Sequence, residues 1–128
     1  MHGYGGGIGF YFQQLRAMSS IPNTRLFVLD WLGMGRSGRP SYPKPKITGA
    51  KGSGEAVRSR VRGAEDFFVD SLEEWRQKEG ISKMTLMGHS LGGYFSSSYT
   101  LKHPDRVNKV LISVLAALYE AERRHSWS

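Results

Sequence analysis

The sequence predicts an α/β fold in which a parallel sheet is flanked by helices. Three observations carry this. Short apolar runs of strand length stand at residues 25–30, 84–87 and 108–114. Stretches with helical spacing of apolar residues lie between and around them, and such alternation implies parallel strands joined by helices. Gly-rich segments punctuate the runs, marking loops rather than element interiors. The 128 residues suffice for one small domain, and no internal repeat divides them.

The chain opens on His2-Gly3-Tyr4-Gly5-Gly6-Gly7-Ile8-Gly9, a loop whose backbone is free to pass close to something. Residues 10–19 read as a short helix with Phe12, Leu15 and Arg16 near one side. Residues 25–30 form an apolar run expected to be a buried strand. Gly33, Gly35 and Gly38 then satisfy G-x-G-x-x-G. A dinucleotide site would need a helix starting within those glycines, and Pro40 and Pro43 follow too closely for one. Residues 44–63 read as an excursion outside the core.

A helix is expected from Ala64, because Phe68, Leu72 and Trp75 share one face with Val69 beside them. Glu65, Asp66 and Asp70 then fall in its early turns, Lys78 late, and Gly80 at its C-terminal cap. The run at 84–87 leads to a helix from just after Ser90 to about Lys102, stopped by His103-Pro104. A third strand is expected at 108–114, and residues 115–124 have helical composition with a polar end.

The most informative stretch is Gly88-His89-Ser90-Leu91-Gly92, a G-x-S-x-G spacing at a strand-to-helix junction. Pushing a serine hydroxyl out of such a turn needs a sharp bend with strained backbone at the Ser. Side chains two before and two after would collide as strand and helix close up, so both positions are Gly. The Ser then stands at a helix N-terminus, where free N–H groups and the helix dipole favour developing negative charge.

Composition narrows the setting. A hydrophobic content of 39% suits a globular core. No apolar run approaches the ~18–20 residues of a membrane span, and the first residues lack the charged-then-apolar order of a signal peptide. There is no Cys, hence no disulfide and no thiolate metal site. The net charge of +7 is uneven: residues 1–63 carry +8 and residues 64–128 carry −1. Arg39, Lys44, Lys46, Lys51, Arg58, Arg60 and Arg62 crowd the Gly/Ser/Pro-rich segment 39–63. A run of this kind suits anionic lipid headgroups or a solvated loop. No aromatic residue interleaves it from Pro43 to Arg62, as nucleic-acid binding would favour, so no nucleic acid is expected as partner.

The segments HGYGGG, LDWLGMGRSGRP, EDFFVDSLEEWR and GHSLGGYFSSSYTLKHPDRV together resemble the α/β-hydrolase superfamily, in that family's order. More narrowly they are similar to its lipid-handling branch, which includes lysophospholipase-type abhydrolases, a lipid-droplet lipase co-activator and a fungal cardiolipin-specific deacylase. The match covers residues 2–112 apart from the basic segment, and residues 115–128 do not look like the family. The resemblance implies an incomplete α/β-hydrolase fold, missing N-terminal strands and the C-terminal half, so that residues 1–128 form a partial domain. It makes Ser90 the nucleophile, with the oxyanion hole built from the N–H groups of Leu91 and Tyr4. It implies a lipid ester as substrate, an anionic membrane or lipid-droplet surface as partner, and no cofactor or metal. It also implies an intracellular location, cytoplasmic or peripheral on a mitochondrion or lipid droplet.

A serine nucleophile needs a base and an orienting acid, in the order Ser, Asp/Glu, His for this superfamily. After Ser90 the chain offers Asp105, Glu120, Glu122, His103 and His125. Asp105 and His103 are expected at the far end of the elbow helix, and His125 in a tail. His89 is expected to pack near the nucleophile and His2 to support the Gly-rich loop. The expectation is therefore half a site: acyl transfer by a longer parent protein, of which this chain is a truncated piece that melts without cooperativity because its sheet edges are unpaired. Non-catalytic lipid binding, lipase regulation or an inert fragment stand as alternatives.

Overall fold

A computed structural model describes residues 1–113. Its centre is a parallel pair, strand β1 (Met84–His89) and strand β2 (Val107–Ser113), in register from Leu86 opposite Val110 to His89 opposite Ser113. Helix α3 (Leu91–Lys102) makes the crossover, as expected. A short 3₁₀ turn, Pro104–Arg106, returns the chain to β2. Val114 and the helix expected at 115–124 lie outside the described residues.

Helix α2 (Gly54–Lys78) begins well before the expected Ala64. Its start has a local cause: the Ser53 hydroxyl accepts the Ala56 N–H at 3.2 Å, and Glu55 in the first turn complements the dipole. Ala56 and Ser59 are buried, because the loop before the helix folds back along it. The Thr48 N–H donates to the Ser59 hydroxyl at 3.2 Å, and Pro45 lies where a Cβ on Gly63 would stand 2.9 Å away. Residues 54–63 are thus helix rather than loop. The C-terminus follows expectation. Gly80 (φ +64°) donates to the Gln77 carbonyl and Ile81 to that of Arg76, a Schellman arrangement.

The earlier start changes the meaning of the acidic residues. Glu65, Asp66 and Asp70 are mid-helix and bind α3 rather than the dipole. Glu65 accepts from the hydroxyls of Tyr94 (2.6 Å) and Ser98 (3.2 Å), while Lys102 reaches Asp66 (2.6 Å) and Asp70 (2.7 Å). Deeper in the same interface, Arg76 holds Glu73 with two hydrogen bonds of 2.8 and 2.6 Å, and the Tyr99 hydroxyl donates to Glu73 at 2.5 Å. Arg76 also donates to the Ile81 carbonyl, closing the helix end. These contacts hold the Glu73 carboxyl far below its ordinary range, with the Arg76 hydrogen bond the largest cause.

The apolar core lies between α2, α3 and β1, and is made of Trp31, Val69, Leu72, Leu86, Phe95 and Tyr99. Phe68 and Trp75 pack against it half-buried, so the predicted face of α2 is the one that turns inward. Trp31, Phe68 and Phe95 form an aromatic cluster with ring centroids 4.6–5.9 Å apart.

Residues 25–30, expected as a strand, carry no strand pairing. Nor is the segment buried: Leu26, Val28 and Leu29 are half-buried and Phe27 is exposed. A strand needs a hydrogen-bonding neighbour as well as apolar residues. The chain start stands between this segment and β1. Met1 donates its amino group to the Met87 carbonyl (2.6 Å) and accepts the His89 N–H (3.0 Å), while the Trp31 indole donates to the His2 carbonyl (3.1 Å). Phe27 instead packs edge-on to Trp75, at 5.1 Å. Near the chain start, a 3₁₀ turn (Ile8–Tyr11) leads into helix α1 (Phe12–Ser19), and neither buries a residue fully. Of the side holding Phe12, Leu15 and Arg16, Phe12 is 69% exposed, Arg16 is exposed and Leu15 is half-buried, as is Met18. No helix among the described residues is long and apolar enough to cross a membrane.

Candidate active site

Ser90 stands between β1 and α3 with φ +54° and ψ −119°, a backbone strain rare for a residue with a side chain. Its glycine neighbours explain how the turn closes. A Cβ on Gly88 would run into the backbone of Gly92 and stand 2.5 Å from the Gly93 nitrogen. Gly92 is needed for another reason: a Cβ there would stand 2.5 Å from the Met1 carbonyl and 2.7 Å from that of His2. The elbow is therefore pressed against its own helix on one side and against the chain start on the other. The Ser90 carbonyl accepts the N–H groups of Gly93 and Tyr94 and starts α3.

The Gly-rich loop meets the elbow at Gly3, where a Cβ would lie 2.9 Å from the Ser90 Cβ and 3.2 Å from the His89 Nδ1. Gly3 to Gly6 form a tight turn, closed by the Gly6 N–H on the Gly3 carbonyl at 3.1 Å with Gly5 at φ +67°. Tyr4 occupies its corner, with its side chain in solvent. Among the described residues neither the Tyr4 nor the Leu91 N–H has a hydrogen-bond partner. Ser90 is exposed, Tyr4 follows the Gly3 that packs on it, and Leu91 is the first residue of its helix.

Two residues fasten this loop. His2 is buried, its Nδ1 donates to the Gly3 carbonyl at 2.8 Å, and its Nε2 accepts the Trp31 N–H at 3.2 Å. A carbonyl only accepts, so the proton is placed on Nδ1. His2 thus fastens the loop to the segment at Trp31, and its Nε2 also lies 3.4 Å from an Asp30 carboxylate oxygen. Asp30 is the second fastening, and its role leaves no mark in the sequence. One carboxylate oxygen accepts the Ile8 N–H (2.8 Å) and the other the Arg36 N–H (3.0 Å), while its carbonyl accepts the Ser37 hydroxyl (2.5 Å). Gly35, at φ +49°, sits where a Cβ would overlap that carboxylate. The 33–38 glycines thus wrap an aspartate, with no helix starting among them, and the Gly33 N–H bonds the Gly38 carbonyl.

No side chain among the described residues hydrogen-bonds the Ser90 hydroxyl. His89 lies edge-on to Tyr11 at 6.2 Å. His103 and Asp105 follow the far end of α3, about 18 Å of helix from Ser90, and the His103 ring lies tilted against Tyr99 with centroids 4.9 Å apart. His125, Glu120 and Glu122 lie outside the described residues. No three His, Asp or Glu side chains among the described residues converge as a metal site requires.

The family model for the alpha/beta hydrolase fold matches residues 1–125. A human (lyso)-N-acylphosphatidylethanolamine lipase is 39% identical over 112 residues, covering 88% of this chain and 28% of its own length. An Arabidopsis thaliana 1-acylglycerol-3-phosphate O-acyltransferase is 35% identical over 128 residues, 99% of this chain and 27% of its own. The human 1-acylglycerol-3-phosphate O-acyltransferase ABHD5 is 37% identical over 112 residues, 88% of this chain and 27% of its own. The chain therefore spans little more than a quarter of the length of these relatives. No solved structure gives a significant match.

Proposed function

The chain belongs to the alpha/beta hydrolase family, and on that premise we propose that it carries the nucleophile half of an acyl-transfer site acting on lipid esters. The observation that supports this best is the strained, exposed Ser90, packed against the Gly3-Tyr4 loop and followed by Leu91. Among the described residues the N–H groups of Tyr4 and Leu91 have no hydrogen-bond partner. The Ser90 oxygen attacks the ester carbonyl carbon and its proton passes to a base supplied from outside the described residues. The carbonyl oxygen becomes an oxyanion that the Tyr4 and Leu91 N–H groups receive. The intermediate collapses with loss of the alcohol, leaving an acyl group on Ser90, which water or an acceptor alcohol then removes.

The lipid character of the substrate rests on the relatives, whose names describe a phospholipid lipase and glycerophosphate acyltransferases. Phospholipid or lysophospholipid acyl chains suit both, and such substrates place the protein at a membrane or lipid-droplet surface. Incubation with a radiolabelled lysophospholipid tests the reading: released fatty acid, or acyl transfer to added lysophosphatidic acid, lost in Ser90→Ala supports it. Turnover that persists in Ser90→Ala overturns it. A second reading, lipid binding or lipase regulation without catalysis, draws on the absence of a base beside Ser90 among the described residues. It predicts lipid binding that Ser90→Ala leaves intact, with no turnover.

A further inference from the structure

Helices α2 and α3 run in the same direction, with Glu65 level with Tyr94 in the first turn after Ser90 and Glu73 level with Tyr99. The part of α2 before Glu65 therefore passes the level of Ser90 and extends beyond the nucleophile end of the sheet by about 10 Å at 1.5 Å per residue. Its surface has a definite pattern. Ala56, Ser59 and Gly63 face the loop that straps the helix. On the opposite side, Val57 and Val61, four apart, form an apolar stripe that is 54% and 45% exposed. Arg58 and Arg62 form the next stripe on one side, and Arg60 flanks the valines on the other. The strap adds exposed Lys44, Lys46, Ile47 and Lys51. Residues 39–63 hold seven Lys/Arg against Glu55 alone.

We infer that this overhanging end of α2, with its strap, is a docking face for an anionic phospholipid bilayer, seated so that Ser90 is turned to the lipid surface. An apolar stripe between arginines is the pattern of a helix lying in a membrane interface, with the valines entering the acyl boundary and the guanidinium groups at the phosphates. The charge is complementary to an anionic leaflet, and each basic residue near such a surface contributes about 1 kcal/mol. A nucleic-acid surface would have no use for the valine stripe. The inference rests on the proposed function only for what Ser90 does once docked.

Flotation of the full chain with vesicles of phosphatidylcholine, or of phosphatidylcholine with phosphatidylglycerol, tests the docking. Binding is expected to the anionic vesicles alone, and to weaken with salt. Arg58→Gln/Arg60→Gln/Arg62→Gln is expected to weaken it about 100-fold, at roughly 1 kcal/mol per charge. Val57→Ser/Val61→Ser is expected to weaken it several-fold while keeping the salt dependence. Far-UV circular dichroism checks that α2 persists, which Gln favours as a good helix former. Equal binding to neutral vesicles, unchanged binding in either variant, or tighter binding to duplex DNA would overturn the inference. Fluorophosphonate labelling of Ser90, read in solution in parallel, separates the two ideas. Labelling without vesicle binding overturns the docking alone, and vesicle binding without labelling overturns the catalytic reading alone.

Discussion

Gly3 passes so close to Ser90 that a Cβ on the glycine would stand 2.9 Å from the Cβ of the serine. The loop and the elbow are thus packed against each other at Gly3, the residue before Tyr4, and in the proposed function the Tyr4 N–H is an oxyanion donor. Gly3→Ala must push the loop away. Loss of one oxyanion donor costs about 10²–10³ in rate, so the variant is expected to slow Ser90 acylation by at least about 10-fold. Mass-spectrometric labelling kinetics read this, and an unchanged rate would detach the loop from the site.

Asp30 is the clamp behind that loop. Its carboxylate holds the Ile8 and Arg36 N–H groups, and hydrogen bonds to a charged group contribute about 1.5–3 kcal/mol each. Asp30→Ala is expected to lower amide hydrogen-exchange protection at Ile8 and Arg36 by about 10²-fold and to slow Ser90 labelling. Asp30→Asn, which keeps one acceptor oxygen, is expected to do less of both. Equal effects of the two variants would refute the clamp.

The Glu73–Arg76–Tyr99 cluster gives a pH prediction. The Glu73 carboxyl is depressed in the folded protein, chiefly by its Arg76 hydrogen bond, against about 4.3 unfolded. A depressed acid stabilises the fold above its unfolded value, and that contribution fades as pH falls from about 4.3 toward the folded value. Exchange protection at the α2–α3 interface should therefore decline below about pH 4 in the native chain. Breaking a buried pair costs about 3–5 kcal/mol, so Glu73→Gln should lose about 10²-fold or more in protection at neutral pH and show a flatter acid limb. An acid limb identical to the native one would contradict this.

Gly88 and Gly93, on either side of Ser90, should respond differently. A Cβ on Gly88 meets backbone, which has nowhere to go, whereas one on Gly93 meets the Ile112 Cγ2 at 2.7 Å, the end of a half-exposed side chain. In a helix, Gly→Ala gains about 1 kcal/mol, which offsets the shift of Ile112. Gly93→Ala should remain within about 1 kcal/mol of the native chain, while overpacking at Gly88 costs about 3 kcal/mol or more. Exchange protection across β1 and α3 distinguishes the two, and equal losses would contradict the geometry.

The parts of this chain legible in the sequence are those whose cause is local. The elbow shows itself because Gly88, Ser90 and Gly92 answer to sterics within a few residues. The Gly80 cap and the Phe68–Leu72–Trp75 face are similarly short-range. The first turns of α2 were masked by Gly54, Gly63 and the dense arginines, although Ser53 with Glu55 marks a helix start and Ala56, Ser59 and Gly63 form a small-residue stripe at helical spacing. With the start misplaced, Glu65, Asp66 and Asp70 read as dipole partners when they are rungs to α3. The strand expected at 25–30 depended on a neighbour that apolarity does not report. The clamp made by Asp30 is not legible in the sequence, because its carboxylate is held by the backbone N–H groups of Ile8 and Arg36, which carry no signature.

If Ser90 is an activated nucleophile, it reacts with a fluorophosphonate, and labelling followed by peptide mass spectrometry reads that reaction at the residue itself. The predicted result is an adduct on the Ser90 peptide, absent in Ser90→Ala and slowed in Gly3→Ala. Folded protein that carries no adduct, or an adduct that survives Ser90→Ala, would contradict it.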